Sequence, residues 1–575
     1  MPDSAPSLAA NATVALRLAE ALARHGVTLT FGQSLPSAFH LAAPHAGIEQ
    51  KVYRQENMGG TMADGYARIS GKVGVVTAQN GPAATLLVPP LAEALKASVP
   101  VIALVQEVTR DSTDRNAFQE FDHLKMFDPV AKFVRRIDRA DRLEDYVDMA
   151  FAAATSGRPG PAVLLLPADL LLERAAPVAR RRANLGSYPL DRVRPEAARI
   201  EEAAALLARA ARPVVIAGGG VHLSGAAEEL AALQEEAHLP VATTFMGKGS
   251  VAETHPLSIG VVGNTMGLGA RARALRPLVA EADVVLLVGN RTNQNGTDSW
   301  TLYPADARFI HIDPDPLEIG RNYEALRLTG DARATLAALR TAMAGQDLAA
   351  RAAARPALER RIGAAVEEWR GLVAGVCARD GGPVRPERVA AEIDRRLPED
   401  GIMVADASYS SNWINIYMTA RRAGQRFLTP RGLAGLGWGV PLAIGAQVAA
   451  PERRVVCLCG DGGFGHSWAE LETLQRLALP VTVVVLNNGI LGFQKHAEDT
   501  KYGEHTIACD FGAVDHAAIA RACGIAGHRV ARGEELGAAL DAAFASGAPA
   551  LIEVLTDPDA KPPLTMYHGH FPEPF

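Results

Sequence analysis

The sequence has no apolar run close to the ~20 residues that a membrane-spanning helix needs, and no basic segment followed by an apolar one opens the chain. Its five cysteines are scattered and lack metal-ligand spacing, so neither a disulfide framework nor a zinc site is expected. Its basic residues form no large cluster: the longest run, Arg180-Arg181-Arg182, resembles a solvated linker, and the net charge is -6. These absences predict a cytoplasmic protein that binds neither a membrane nor a nucleic acid.

The length of the chain predicts several domains. At ~100–200 residues for each domain, 575 residues correspond to about three. Short apolar runs alternate with helical patterns, which is typical of α/β domains with parallel sheets. A segment rich in Arg, Ala and Pro and an alanine-rich, charged helical segment read as linkers. We therefore predict domains at 1–183, 196–345 and 383–575.

The most informative stretch is a βαβ unit in the third domain. A buried strand ends in Gly460-Asp461-Gly462, a helical pattern follows, and a second buried strand ends in Asn487-Asn488. Neighbouring strands of such a unit end side by side, so Asp461 and Asn488 can converge on one hard cation while glycine amides face a phosphate. A Gly-Asp-Gly turn alone is equally an Asx turn that caps a helix, and the paired asparagines carry the inference.

The 24 residues between Gly462 and Asn487 give this unit a specific resemblance. It resembles the metal and diphosphate motif of thiamine diphosphate enzymes, and the whole chain is similar to acetolactate synthases. The resemblance implies three doubly wound parallel-sheet domains that bind the pyrimidine, a nucleotide and the diphosphate. It implies Mg²⁺ ligands from Asp461, from the Asn488 side chain and from the Ile490 carbonyl group. Further cofactor contacts are implied for Gly460, Gly462 and Gly463.

Two other segments resemble cofactor-binding parts of the same family. Glu56 opens the stretch ENMGGTMADGYARIS, where the family has the glutamate that hydrogen-bonds N1′ of the aminopyrimidine; alone, it would be a first-turn residue favoured by the helix dipole. Leu436 stands where the family has the apolar wedge that bends the cofactor, and the backbone of Ala434 and Leu436 would hold the pyrimidine edge. Tyr409 and Ser410 are candidates for the terminal phosphate, with a helix N-cap as the alternative.

The substrate pocket is the least specific part of the resemblance. Candidates for the reacting centre are amides in loops, each of which has an ordinary loop residue as its alternative: Gln33, Gln79, Asn80 and Gln119. Candidates for the pocket wall are Lys132, Phe493, Gln494 and Ala497. Ala497 stands where acetolactate synthases have a tryptophan, which implies an enlarged pocket.

The middle domain resembles the FAD-binding domain of acetolactate synthases. The candidate FAD residues are Gly218, Gly219, Arg291 and Asp313. Two family motifs differ here, at Asn264-Thr265-Met266 and at residues 292–295. We expect a loosely held flavin at most, and a structural domain without a nucleotide is the alternative.

Three functions are compatible with these residues. The first is decarboxylation and carboligation of an aliphatic 2-oxo acid. The second is a lyase or hydrolase reaction on a larger diketone or 2-hydroxy ketone, and the third is a regulatory protein that binds a nucleotide without chemistry. The resemblance implies a homodimer or homotetramer with its active site between subunits. The tail at 567–572 is either a lid or a surface segment.

Overall fold

The computed structural model describes residues 12–175 and 183–568. The run Arg180-Arg181-Arg182 and most of the tail lie outside these ranges. The described strands form three sheets of six strands each, and all strand pairs are parallel. The predicted fold class, with three doubly wound parallel sheets, is confirmed.

The first sheet lies within residues 29–167 and has the strand order β2-β1-β3-β4-β6-β5. Its central strands are buried except at Gln106, which is half-buried, as expected for a parallel sheet with helices on both faces. The strands are β1 Leu29–Phe31, β2 Glu49–Lys51, β3 Gly74–Ala78, β4 Val101–Glu107, β5 Phe133–Arg136 and β6 Ala162–Pro167. The helices are α1 Val14–Arg24, α2 Ser37–Ala42, α3 Glu56–Ser70, α4 Pro82–Leu86, α5 Val88–Ala97, α6 His123–Phe127 and α7 Leu143–Thr155.

The second sheet lies within residues 213–329 and has the order β12-β11-β10-β7-β8-β9. Its strands are β7 Pro213–Ala217, β8 Val241–Thr243, β9 Ser258–Val261, β10 Val284–Val288, β11 Arg308–Asp313 and β12 Ala325–Thr329. The helices are α8 Ala197–Arg209, α9 Gly220–Ser224, α10 Ala227–Glu236, α11 Arg276–Ala280, α12 Ala332–Ala344 and α13 Ala349–Cys377. The last two helices occupy the segment in which the second linker was predicted.

The third sheet lies within residues 402–555 and has the order β14-β13-β15-β16-β18-β17. Its strands are β13 Ile402–Ala405, β14 Arg426–Leu428, β15 Val455–Gly460, β16 Thr482–Asn487, β17 Ala526–Val530 and β18 Ala550–Leu555. The helices are α14 Pro386–Arg396, α15 Tyr409–Tyr417, α16 Gly439–Ala449, α17 Asp461–Phe464, α18 Glu470–Arg476, α19 Gly492–Tyr502, α20 His516–Ala522 and α21 Gly533–Ala545. Each of the three sheets falls within one of the predicted domain ranges.

The chain groups into two compact units that are not continuous in sequence. The first unit contains Met1–Asp191, Pro430–Glu452 and Ser467–Leu479, and the second contains Arg192–Thr429, Arg453–His466 and Pro480–Phe575. Helices α16 and α18, which the sequence places in the third domain, therefore belong to the first unit. Among residues 12–175 and 183–568, no helix has both the length and the apolar character needed to cross a membrane.

Within the first unit, α3 and α16 pack with their backbones in direct contact. A methyl group on Gly65 would lie 2.3 Å from the carbonyl oxygen of Leu442, and one on Gly445 would lie 2.0 Å from that of Met62. Only glycine allows so close an approach. The helix that begins at Glu56 is thereby fixed against the helix that follows Leu436.

Candidate active site

In the second unit, Asp461 and Asn488 lie at the carboxyl ends of two neighbouring strands. β15 and β16 pair so that Gly460 is opposite Leu486, and Asp461 begins α17 directly after β15. Oδ2 of Asp461 accepts a hydrogen bond from the N–H of Gly489 (2.7 Å), which joins the two strand ends. The predicted convergence of the two motif halves is thus present in the geometry.

The electrostatics of Asp461 suit a bound cation. The side chain is buried, and this burial raises the pKa of its carboxyl to about 6, although hydrogen bonds from the N–H groups of Gly489 and Gly462 oppose the rise. In the part of the chain that the structure describes, no Lys, Arg or His forms an ion pair with it. A buried carboxylate without a cationic partner, beside an asparagine amide, fits the oxygen donors that Mg²⁺ prefers.

The other ligands of such an ion would be neutral. Among the described residues, no group of three His, Cys, Asp or Glu side chains could hold a metal. Oδ1 of Asn488 accepts a hydrogen bond from the N–H of Ile490 in the same loop (3.2 Å). A single carboxylate with amide and carbonyl oxygens leaves coordination positions for a ligand that brings its own negative charge, such as a diphosphate.

The glycines of the motif provide the close approach. A methyl group on Gly462 would lie 2.8 Å from the ring of Phe511, so a side chain at this turn would have to displace that ring. A methyl group on Gly460 would lie 4.0 Å from Oγ of Ser410, which is buried in the first turn of α15. Gly463 is buried in α17. Gly460 ends β15 and Ser410 follows the adjacent strand β13, and the two residues face each other.

Tyr409 differs from its expected role at the phosphate. Its buried hydroxyl forms hydrogen bonds with Nδ1 of His496 (3.0 Å) and with the hydroxyl of Tyr567. Burial raises the pKa of Tyr409 far above its ordinary value. Its ring lies against Gly492, where a methyl group would be 3.3 Å away. Tyr409 thus fixes the start of α19, and Ser410 remains the candidate for the phosphate.

The structure separates the pocket candidates on α19. Phe493 and Ala497 are partly buried and pack against the core of the third sheet. Gln494 is exposed and donates a hydrogen bond to Glu498 one turn later (2.7 Å). Ala497 and Gln494 were expected to line one pocket, but the first faces the core and the second faces solvent.

In the first unit, Glu56 is the first residue of α3 and is half-buried. Its carboxylate has no hydrogen-bond or ion-pair partner in the described residues, so it is available to a ligand. Leu436 precedes α16 and is 37% exposed, and Ala434 in the same loop has a φ of 61°. A positive φ is unfavourable for alanine, so the loop is held by its surroundings.

Sequence reasoning missed Glu470, which holds the backbone just before Glu56. Its buried carboxylate accepts the N–H groups of Arg54 and Gln55, each at 3.1 Å. Arg476, on the same helix, donates to the carbonyl oxygen of Val52 (2.8 Å). Burial raises the pKa of Glu470, while its hydrogen bonds lower it. The only local signal is a glutamate at the start of α18.

The structure brings together three of the amide candidates. Nε2 of Gln79 donates to Oε1 of Gln119, and Nδ2 of Asn80 donates to the backbone oxygen of Gln119 (3.0 Å). Gln33 lies apart, exposed, with Nε2 donating to the carbonyl oxygen of Arg54 (3.3 Å). Gln33 is therefore next to the Glu56 segment, whereas Gln79 and Gln119 form a separate cluster.

A buried histidine supports this amide cluster. Nδ1 of His123 lies 2.5 Å from Oε1 of Glu107, and its Nε2 accepts the N–H of Gly81 (3.0 Å). The structure does not bring Lys132 to the cluster. Lys132 lies directly before the amino end of β5, and its Nζ donates hydrogen bonds to the carbonyl oxygens of Ser156 (2.9 Å) and Arg158. The amides Gln79 and Asn80 instead follow the carboxyl end of β3.

In the central domain, packing explains the glycine-rich turn after β7. A methyl group on Gly218 would lie 2.2 Å from the carbonyl oxygen of Gly289, and one on Gly219 would lie 3.0 Å from Met246. Asp313 is buried at the end of β11, and burial raises its pKa to about 7, with Arg291 opposing the rise. These contacts are made within the protein, so the turn needs no nucleotide to account for its glycines.

Comparison with known proteins identifies the family of the chain. Three family descriptions match successive parts of the chain: "Thiamine pyrophosphate enzyme, N-terminal TPP binding domain" at residues 12–126, the central domain at 200–339 and the C-terminal TPP binding domain at 406–554. The chain belongs to the thiamine pyrophosphate enzymes, which bind thiamine diphosphate. Within this class it is acetolactate synthase-like, as its relatives indicate.

A probable acetolactate synthase large subunit from Methanocaldococcus jannaschii is 33% identical over 562 residues, covering 94% of this chain and 91% of the relative. The acetolactate synthase isozyme 2 large subunit of Escherichia coli is 30% identical over 548 residues, covering 93% and 94%. A sulfoacetaldehyde acetyltransferase from Castellaniella defragrans is 32% identical over 561 residues, covering 91% and 89%. The predicted family and the prediction of an enzyme are confirmed.

Proposed function

We propose that the protein decarboxylates a 2-oxo acid and transfers the remaining acyl unit to a second carbonyl compound. The observation that carries this proposal is the buried Asp461, which has no cationic partner among the described residues and lies beside Asn488 at adjacent strand ends. These two residues form the part of the site that would bind the metal ion together with a diphosphate. The sustained similarity to acetolactate synthases supports the choice of a 2-oxo acid.

The residues of the chain would divide the work. Asp461, the Asn488 side chain and the Ile490 carbonyl group would hold Mg²⁺, which would carry the diphosphate against Gly460, Gly462, Gly463 and Ser410. Glu56 would accept or donate a proton at the pyrimidine ring, because its carboxylate, at the start of α3, has no hydrogen-bond or ion-pair partner in the part of the chain that the structure describes. Leu436 would press on the cofactor from a constrained loop. Thiamine diphosphate, when bound, supplies a carbon nucleophile and accepts the electrons of the broken bond.

The amide cluster would face the substrate with neutral hydrogen-bond groups. Gln79, Asn80 and Gln119 are interlocked, and the Gln119 backbone has a φ of 62°, so the cluster is rigid. Neutral donors suit carbonyl and hydroxyl oxygens. They are compatible with the ligation product of two carbonyl compounds, and they also favour the second candidate, a lyase or hydrolase acting on a larger diketone.

We infer that FAD is not a tightly bound component. The glycines at 218 and 219 are explained by packing against Gly289 and Met246, and two motifs that the family has in this domain differ in this chain, at residues 264–266 and 292–295. Purification should give a colourless protein without flavin absorbance near the visible region. A yellow protein that keeps stoichiometric FAD through gel filtration contradicts this inference.

We further propose a homodimer or homotetramer whose sites lie between subunits. Large apolar side chains are exposed on the first unit near its candidate site residues: Phe118, Phe121, Leu124, Leu433 and Leu436. Such exposure is typical of a surface that another chain covers. The names of the relatives as large subunits are consistent with assembly.

A substrate panel tests the reaction. Purified enzyme with thiamine diphosphate and Mg²⁺ is given aliphatic 2-oxo acids, diketones and sulfoacetaldehyde, and CO₂ release, substrate loss and ketol products are measured. We expect CO₂ release and a ketol from a 2-oxo acid. Consumption of a diketone without CO₂ release supports the lyase or hydrolase, and consumption of sulfoacetaldehyde alone moves the protein to a different acyl donor. No turnover with any compound contradicts the proposal.

A further inference from the structure

Glu93 lies on α5, far in sequence from the cofactor motifs, yet its carboxylate accepts hydrogen bonds from the loop that carries Leu436. The side chain is 3% exposed. Oε1 accepts the N–H of Gly432 (2.7 Å), and Oε2 accepts the N–H groups of Leu433 and Ala434, the latter at 3.3 Å. Three successive backbone donors converge on one buried carboxylate, and hydrogen bonds to a charged acceptor are among the stronger ones in proteins.

The loop is constrained into this arrangement. A methyl group on Gly432 would lie 2.5 Å from the backbone oxygen of Glu93 and 2.9 Å from its carboxylate, so the loop and α5 touch directly. Ala434, the last residue that Glu93 binds, has a φ of 61°. An alanine stays in this region only when its surroundings hold it there. Leu436 follows two residues later.

We propose that Glu93 is a positioning residue for the thiamine diphosphate site, because it preorganises the loop 432–436 so that Leu436 is in place before the cofactor binds. The inference rests on the proposed function, since the contact between Leu436 and the cofactor is part of that proposal. If the loop were mobile in the free protein, cofactor binding would have to order it, and affinity would fall.

A second role for Glu93 must be separated from this one. Nη2 of Arg68 lies 3.6 Å from Glu93, and its Nε lies 2.6 Å from Asp64, so the two acids share a buried arginine. Among the described residues, Asp64 forms its side-chain hydrogen bond and ion pair with Arg68 and none with residues 432–436. Replacing Asp64 removes a carboxylate from the same buried cluster and leaves the three loop hydrogen bonds in place, which makes it the matched control.

The experiment compares Glu93→Gln, Asp64→Asn and the full-length wild-type protein. Amide hydrogen exchange of residues 430–438 is measured without cofactor, and the affinity for thiamine diphosphate with Mg²⁺ is measured by calorimetry. Glu93→Gln is an isostere that keeps one acceptor and turns an amide group toward the backbone donors. We expect faster exchange in this loop and about tenfold or more weaker binding, the effect of losing a charge-assisted hydrogen bond.

Asp64→Asn should lower the melting temperature without speeding exchange in the loop, and its cofactor affinity should stay within about twofold of the wild type. If Glu93→Gln leaves loop exchange and affinity unchanged while the wild type binds cofactor, the inference is overturned. If the wild type itself fails to bind thiamine diphosphate, the proposed function fails instead, and the two failures are distinguishable.

Gly432→Ala keeps the test decisive where Glu93→Gln does not fold. The added methyl group would displace the loop from α5 and leave the charge of Glu93 intact. It should also speed exchange at 430–438 and weaken cofactor binding. Unchanged exchange and unchanged affinity in this variant overturn the inference as well.

Discussion

Asp461 is a buried acid whose partners are backbone N–H groups rather than cations, and this decides what its loss should do. Asp461→Ala should weaken binding of thiamine diphosphate in the presence of Mg²⁺ by about 100-fold or more. Without this carboxylate the protein binds the metal ion less tightly, and the charge of the diphosphate is then no longer neutralised. Calorimetry measures the affinity. Asp541→Asn, at an exposed position on α21, is the control and should bind normally. An unchanged affinity in Asp461→Ala would show that the metal binds elsewhere.

Asp313 gives a pH dependence with a definite sign. Burial raises its pKa in the folded protein to about 7, from 3.8 for an unperturbed aspartate. The folded state therefore holds a proton that the unfolded state releases, so this contribution to stability is present below pH 3.8 and is lost as the pH rises through 7. A shift of this size corresponds to at most about 4 kcal/mol.

Asp313→Asn should therefore melt at a higher temperature than the wild type at pH 8, and the difference should be smaller at pH 5, where less of this contribution has been lost. Thermal unfolding at the two pH values checks this. The matched control, Asp306→Asn, changes an exposed acid of the same domain and should leave both melting temperatures unaltered. Equal melting of Asp313→Asn and wild type at pH 8 would mean that Asp313 is ionised at no cost, for example through Arg291.

At the scale of elements, helix α18 orders the chain entry to α3. Glu470 receives two N–H groups from residues 54 and 55, so Glu470→Gln should loosen the start of α3 and misplace Glu56. We expect kcat to fall about tenfold while the KM for cofactor changes less, since the diphosphate contacts are elsewhere. Steady-state kinetics separates the two constants.

Glu20→Gln is the control for this prediction, because Glu20 is an exposed residue of α1 that pairs with Arg17 on the same helix. It should leave kcat and KM unchanged. A Glu470→Gln enzyme with a normal kcat and a raised KM would assign Glu470 to cofactor binding rather than to the placement of Glu56.

Elements with a local signature could be predicted from sequence, and long-range contacts could not. The buried strand β15 and the spacing to Asn488 predicted one edge of the site, because strand burial and a βαβ unit are local patterns. Glu93 and Glu470 escaped because their partners lie 339 to 341 and 415 to 416 residues away. A glutamate within the apolar helix VPPLAEALKA was the available hint at Glu93. The side on which α19 presents Gln494 and Ala497 depended on tertiary packing.

At the scale of the whole molecule, the proposed site combines residues from two subunits. Mixing refolded or co-expressed Glu56→Gln and Asp461→Ala subunits tests this. If Glu56 of one subunit meets Asp461 of its partner, a hybrid dimer has one intact site. A random mixture should then regain about a quarter of the wild-type activity, although each variant alone is inactive.

A site built within one chain would give no recovery, because each subunit of the hybrid would carry one damaged group. Tagged wild-type protein mixed with untagged wild-type protein is the control for exchange of subunits, because untagged protein that is recovered with the tag has exchanged. Recovery near zero in the presence of demonstrated exchange would place Glu56 and Asp461 in one chain.

The first unit is closed by residues 430–452 and 467–479, which follow its other part by some 240 residues of chain. During synthesis on the ribosome, the glycine face of α3 stays uncovered until α16 has been synthesised. Glu93 likewise cannot form its hydrogen bonds until the loop 432–436 has been synthesised. From residue 191 to 479, at ~5–20 residues per second, the delay is roughly 15–60 s. The amino-terminal sheet is therefore exposed to chaperones or to aggregation during that interval, and a fragment ending at residue 183 lacks the helices that complete it.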